Sequence, residues 1–204
     1  AALLARCIEC HEPRDDLFVS RVAVELLRPV PIRTLTLTTR TTRPGRRVQL
    51  VETVMRDGDT EVARAVGLRT RVAALPEAPP TPPISPLDPP DSLPSRGSPF
   101  EMPGQSFITH AVELRPISMG GMGGGPPGEG KVWFRARVPL VAGEQLTPAS
   151  RVLMAADAQG GMSAVLDFTR YTLINPDLTV YLHRYPAGEW IGIDCQSWVD
   201  PTGS

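Results

Sequence analysis

Val24-Glu25-Leu26-Leu27-Arg28-Pro29 recurs 156 positions later as Val180-Tyr181-Leu182-His183-Arg184-Tyr185, and the surroundings of the two copies match as well as the residues do. Each copy follows a short helical segment. Each is followed by a proline-containing turn, Val30-Pro31 or Pro186-Ala187-Gly188, and then by a second strand-like run, Thr34 to Thr38 or Trp190 to Asp194. A helix followed by antiparallel strands, used twice in one chain, predicts a duplicated α+β fold whose halves pack together.

Composition bounds what such a fold can do. The chain has 204 residues, is 41% hydrophobic and carries a formal charge of −1, enough to bury a core and too neutral for the basic face of a nucleic-acid protein. Only Lys131 among its cations is a lysine. No run reaches the roughly 18 apolar residues of a membrane span. Three cysteines fit a reducing compartment better than a disulfide framework, so a soluble, cytoplasmic protein is expected.

Outward from the repeat, Ala1, Leu3, Leu4, Cys7 and Ile8 recur as the buried face of an amphipathic helix does, and Pro13 closes the segment. Residues 17–28 and 32–42 read as strands, and Arg46 to Met55 leads through Asp57-Gly58-Asp59 into Val62 to Thr70 as a hairpin. Between Pro76 and Pro103, 11 of 28 residues are proline, which removes amide donors and fixes φ too often for a helix or inner strand. The expected organisation is an N-terminal unit over 1–75, a linker over 76–105 and a C-terminal unit over 106–204. The second unit is predicted to contain a strand near Phe107 to Leu114, a Gly/Met/Pro loop over 118–130 and a returning strand from Lys131 to Val138. A helix then starts at Thr147-Pro148 and leaves through a left-handed Gly160-Gly161, followed by strands over about 165–184 and 189–199. Carried forward by the same offset, the hairpin at 43–72 should have a counterpart near 199–228. Strands like those over 107–138 should likewise precede the first helix. Both units are therefore expected to be truncated at the chain ends.

Several residue groups carry candidate chemistry. Cys7-Ile8-Glu9-Cys10-His11 matches a haem-attachment pattern and a redox or zinc half-site. Its Cys7 belongs to the apolar stripe, and His110, His183 and Cys195 supply no second ligand pair, so a structural role is expected and no metal or cofactor is assigned. The glycines from Met119 to Gly130 run into the strand at Val132-Trp133-Phe134 rather than into a helix N-terminus, which favours a hairpin loop over a phosphate cradle. The proline tract contains PxxP spacing, read as a spacer or as a peptide ligand for another domain.

Asp157 is harder to dismiss. It ends the apolar stretch Val152-Leu153-Met154-Ala155-Ala156 close to a helix C-terminus, where the macrodipole disfavours a carboxylate and some compensation is required. An acid so placed suits a general base acting on water; the plainer alternative is an exposed acid at a helix end. Asn175-Pro176-Asp177 is a weaker candidate by itself, since Asn and Pro mark a strand entrance.

Ala1-Ala2-Leu3-Leu4-Ala5-Arg6, Val24 to Pro29, Arg43-Pro44-Gly45-Arg46-Arg47-Val48-Gln49, Trp133-Phe134-Arg135 and Pro139 to Glu144 together resemble the double-hotdog acyl-CoA thioesterases of actinobacterial type. Ala156-Asp157, Ile174 to Thr179, His183-Arg184 and Gly188 to Gly192 complete the resemblance, which spans nearly the whole chain outside the linker. It implies two antiparallel sheets, each wrapped around a central helix, and hydrolysis of an acyl-CoA thioester. It also implies that Asp157 polarises the attacking water and that Asn175 stands where a hydroxyl residue often helps hold it. The family's C-terminal glutamine and the His-Gly-Gly-like segment before its first helix have no counterpart in this sequence. Homo-oligomers are implied as well, since hotdog sheets commonly join edge to edge. The alternatives are an acyl-CoA or lipid-binding hotdog without catalysis and, further off, an enoyl-CoA hydratase, whose Asp-x-Asn-Pro-x-His-like motif lacks both its aspartate and its histidine here.

Overall fold

The computed structural model describes residues 1–77, 86–95, 106–120, 123–168 and 170–203. The expected linker over 76–105 therefore lies largely outside the described residues. The chain is α+β, with two antiparallel sheets and few helices, and divides into two compact units. One comprises Ala1–Ser85, Thr147–Leu153 and Pro176–Tyr185; the other comprises Pro86–Leu146, Met154–Asn175 and Pro186–Ser204.

In the first unit, helix α1 (Ala2–Cys10) faces a sheet of β1 (Leu17–Leu26), β2 (Thr36–Arg43), β3 (Val48–Asp57), β4 (Thr60–Arg71) and β7 (Asp177–Tyr181), in the order β2-β3-β4-β1-β7. The helix buries Leu4, Ala5 and Ile8 against Val22, Val24, Val51, Met55 and Ala65, as the predicted apolar stripe requires. Gly67 on β4 allows the close approach: a Cβ there would stand 2.2 Å from Cγ2 of Ile8. The predicted hairpin is β3 and β4, turning at Gly58 with φ +57°. The exit of α1 is held by Arg69, 3% exposed on β4, whose guanidinium donates to the carbonyls of Ile8 and His11. Those carbonyls have no partner within the helix, so the arginine replaces a C-terminal cap.

The two copies of the repeated phrase meet in this sheet. β1 pairs antiparallel with β7, Arg21 facing Tyr181 and Glu25 facing Asp177. Ala23 faces Thr179, its own counterpart 156 positions on, so the register maps onto itself when the copies are exchanged.

The second unit holds the sheet β5-β6-β8, formed by β5 (Val112–Met119), β6 (Glu129–Ala136) and β8 (Ile191–Gln196), together with the short helices α2 (Phe107–His110) and α4 (Gln159–Met162). Helix α3 (Pro148–Asp157) precedes α4 in the chain. Leu114, Val132, Phe134, Met162 and Ile193 form its buried interior.

Three local expectations are corrected here. Residues 107–110 are a helical turn rather than the start of a strand. Ser106 and Thr109 cap it reciprocally, the Ser106 hydroxyl accepting from the Thr109 amide and the Thr109 hydroxyl from the Ser106 amide. Gly160-Gly161 sit inside α4 without positive φ, so α3 ends at Asp157 instead of running to a left-handed exit. Among the described residues, the strand expected over 165–184 is β7 alone, with Leu166, Tyr171, Leu173 and Ile174 exposed rather than paired into a sheet.

Candidate functional site

Helix α3 carries the first candidate residue to its place. Its start is fixed twice: the Thr147 hydroxyl accepts from the Ser150 amide at 3.3 Å, and the Glu9 carboxylate accepts from the Ala149 amide at 3.1 Å. Ala149, Leu153, Met154 and Ala155 are buried, which sets the rotation of the helix about its axis. Asp157 is its last residue and is half-buried.

Asn175 arrives from the irregular stretch that precedes β7 and meets the same helix end. Its Nδ2 donates to the main-chain carbonyl of Asp157 at 3.0 Å and lies 3.4 Å from the carboxylate oxygen Oδ1. Two residues 18 positions apart are thus brought together. The amide supplies a donor at the helix C-terminus, where the dipole opposes a carboxylate.

The other sequence candidates lie elsewhere. Cys7 is half-buried and Cys10 exposed, both unbridged, and burial pushes the Cys7 thiol up. Among the described residues no group of three or more His, Cys, Asp or Glu side chains stands close enough to hold a metal ion. The glycine-rich stretch leads from β5 into β6. Cys195 donates to the Gly130 carbonyl at 3.4 Å, and burial pushes its thiol up as well, which suits a packed thiol rather than a nucleophile.

Sequence reasoning did not single out Glu113. Only 5% exposed on β5, it pairs with Arg115 at 3.0 Å and with Arg135, while Arg115 and Arg135 stack on Trp190 at 5.0 and 4.5 Å. Burial works against its charge, but the two guanidinium groups outweigh it and hold the carboxyl below the usual range. A signal was present: Trp133-Phe134-Arg135 and Glu189-Trp190 were among the residues carrying the resemblance, and Arg135 and Trp190 belong to this ion-paired cluster.

A family described as acyl-CoA thioesterase N-terminal domain matches residues 1–70, and one described as acyl-CoA thioesterase C-terminal domain matches residues 86–204. No curated protein matches the sequence significantly. Among solved structures, a conserved protein of unknown function with hot dog fold from Alicyclobacillus acidocaldarius aligns with TM-score 0.68 and 14% identity, over 91% of this chain and 66% of its own. A TesB protein of Mycobacterium avium subspecies paratuberculosis aligns with TM-score 0.65 and 15% identity, over 95% of this chain and 70% of its own. The acyl-CoA thioesterase II TesB2 of Mycobacterium marinum aligns with TM-score 0.59 and 18% identity, over 89% of this chain and 68% of its own. These likenesses show a hotdog fold, and the chain spans about two thirds of the length of each of those proteins.

Proposed function

Because the chain belongs to the acyl-CoA thioesterase family, we propose that it serves hydrolysis of an acyl-CoA thioester to a free acid and CoA, with Asp157 as the base. The observation that carries this reading is the Asn175 amide seated on the carbonyl and carboxylate of Asp157. In the reaction, the Asp157 carboxylate takes a proton from a water whose oxygen attacks the thioester carbon. The tetrahedral adduct collapses with loss of the carbon–sulfur bond, and the proton passes to the departing thiolate, leaving acid and free thiol. Asn175 holds the carboxylate in orientation, and its side-chain oxygen accepts from the water.

Charge on the carbonyl oxygen calls for backbone N–H donors. The start of α3 does not serve a carbonyl attacked at Asp157, because nine residues of helix separate the two ends by about 13 Å, and Glu9 already occupies the Ala149 amide.

The test is release of free CoA from acyl-CoA by the full-length protein and its Asp157→Ala variant. A rate lower by about 10²-fold or more is expected; equal rates remove Asp157 from the mechanism. One observation favours a second reading, a ligand-binding hotdog without turnover: the Asn175 amide lies closer to the main-chain carbonyl than to the carboxylate, as a helix cap would. Acyl-CoA binding with no CoA release would select it.

The same proposal includes a double hotdog, with units over 1–75 and 106–204 each wrapped on a central helix, acting as a cytoplasmic homo-oligomer. The self-mapping β1–β7 register supports the pairing of two like units. Among the described residues no helix is long and apolar enough to cross a membrane.

A further inference from the structure

The second unit grips a piece of the proline tract on its own sheet. On β6, Val132 and Phe134 point to the buried interior, so Trp133 points to the opposite face. Arg115 on β5 and Gly192 on β8 stand directly across from Trp133, which makes one row over three strands. Residues Pro86 to Asp91 lie along this row. Leu87 sits in the notch that Gly192 leaves open: a Cβ at Gly192 would be 2.9 Å from Cδ1 of Leu87 and 3.1 Å from the Trp133 ring. The Trp133 indole donates to the Asp88 carbonyl at 2.7 Å, and the Arg115 guanidinium donates to the Pro90 carbonyl at 2.6 Å.

The chemistry of the two sides is complementary. Prolines carry no N–H, so a Pro-rich segment presents carbonyl acceptors with few donors, and an indole and a guanidinium are donors only. Pro89 has φ −57° and ψ 141°, the polyproline II geometry that such a segment holds before it binds. Arg115 is itself fixed by Glu113 and by the Trp190 ring, so little side-chain entropy remains to be lost on contact. After Pro89 the segment turns through a short 3-10 helix, Pro90–Ser92, and an aromatic-lined groove with donors set along a proline segment is a known mode of peptide recognition.

We propose that the row Arg115–Trp133–Gly192 is a binding site for a leucine-bearing Pro-x-x-Pro peptide, and that Pro86-Leu87-Asp88-Pro89 with Pro90 and Asp91 is its ligand, bound in cis. This goes beyond the thioesterase reading and does not depend on Asp157. It absorbs one of the PxxP spacings that the function left unused, Pro86 to Pro89. Covalent attachment keeps the site filled, because a tethered segment acts at an effective concentration that free peptide matches only when the cis contact is weakened.

The test uses the full chain with Leu87→Asp, which unseats the segment, and a synthetic peptide of the sequence Pro86 to Ser92. The readout is the Trp133 indole N–H resonance, assigned through Trp133→Phe. In Leu87→Asp the indole signal should shift and lose its protection from exchange, and the peptide should return it saturably, while a peptide carrying the same Leu→Asp change should not. Gly192→Val provides an independent variant that closes the notch from the sheet side and should both unseat the segment and abolish rescue. An indole signal unmoved in both variants overturns the proposal. So does a wild-type peptide that fails to return the signal in Leu87→Asp, or that acts no better than its altered form. Asp157→Ala should leave every one of these signals as in the parent chain.

Discussion

Arg69 and Glu113 show how much a single buried charge can organise. Arg69 is the C-terminal closure of α1, and its burial lowers its affinity for its own proton while the carbonyls it satisfies hold it in place. Arg69→Met keeps the stem and strands those carbonyls, so a loss of about 2–4 kcal/mol of unfolding free energy in urea is expected. Glu113 gives a pH signature. Its folded carboxyl is held below the ordinary value of 4.5, so its contribution to stability is present above that pH and fades as the pH falls through the lower folded value. Glu113→Gln should therefore unfold earlier than the parent at pH 7, with the difference shrinking below about pH 4.5. A constant difference from pH 7 to pH 3 would mean that the arginines do not hold the carboxylate.

At the scale of elements, the decisive contact is helix against strand. Gly67→Ala places a methyl group inside the van der Waals envelope of Ile8, so α1 must lift from β4, at a cost of about 1–3 kcal/mol measured by urea unfolding. Combined with Ile8→Ala the loss should be less than the sum, since the second change removes the group the first collides with. Elements with strong local signals were legible in the sequence. The β3–β4 hairpin announced itself through Asp57-Gly58-Asp59 between β-branched runs, and α1 through its apolar spacing. The stretch 163–176 was not, because Leu166, Tyr171, Leu173 and Ile174 look like strand residues while standing in solvent, and only a missing partner strand distinguishes the two. The site was half legible for a related reason. Asp157 stood out against apolar neighbours, whereas Glu113 needs Arg115, Arg135 and Trp190 from three separate segments before its burial makes sense.

Over the whole molecule, the chain crosses back on itself. The last part of the sequence supplies β7 to the sheet that the first part begins, and β8 to the sheet of β5 and β6. Cleavage in the exposed stretch around Tyr171 should accordingly leave both fragments associated on native gel filtration and separate them in urea. Fragments that part without denaturant would show that the two strand joints are too weak to hold them.

The β1–β7 joint has one more consequence. A register that is unchanged when its two strands trade places is what two identical chains would form by meeting edge to edge. Two separate identical chains, however, must accept every substitution twice. Written into one chain, the same joint lets each side be edited alone: Arg21 faces Tyr181 where exact symmetry would repeat one pair at both ends, and Glu25 can face Asp177 because Arg64 neutralises one side only. Broken symmetry at that seam is the freedom to change one side of the joint without changing the other.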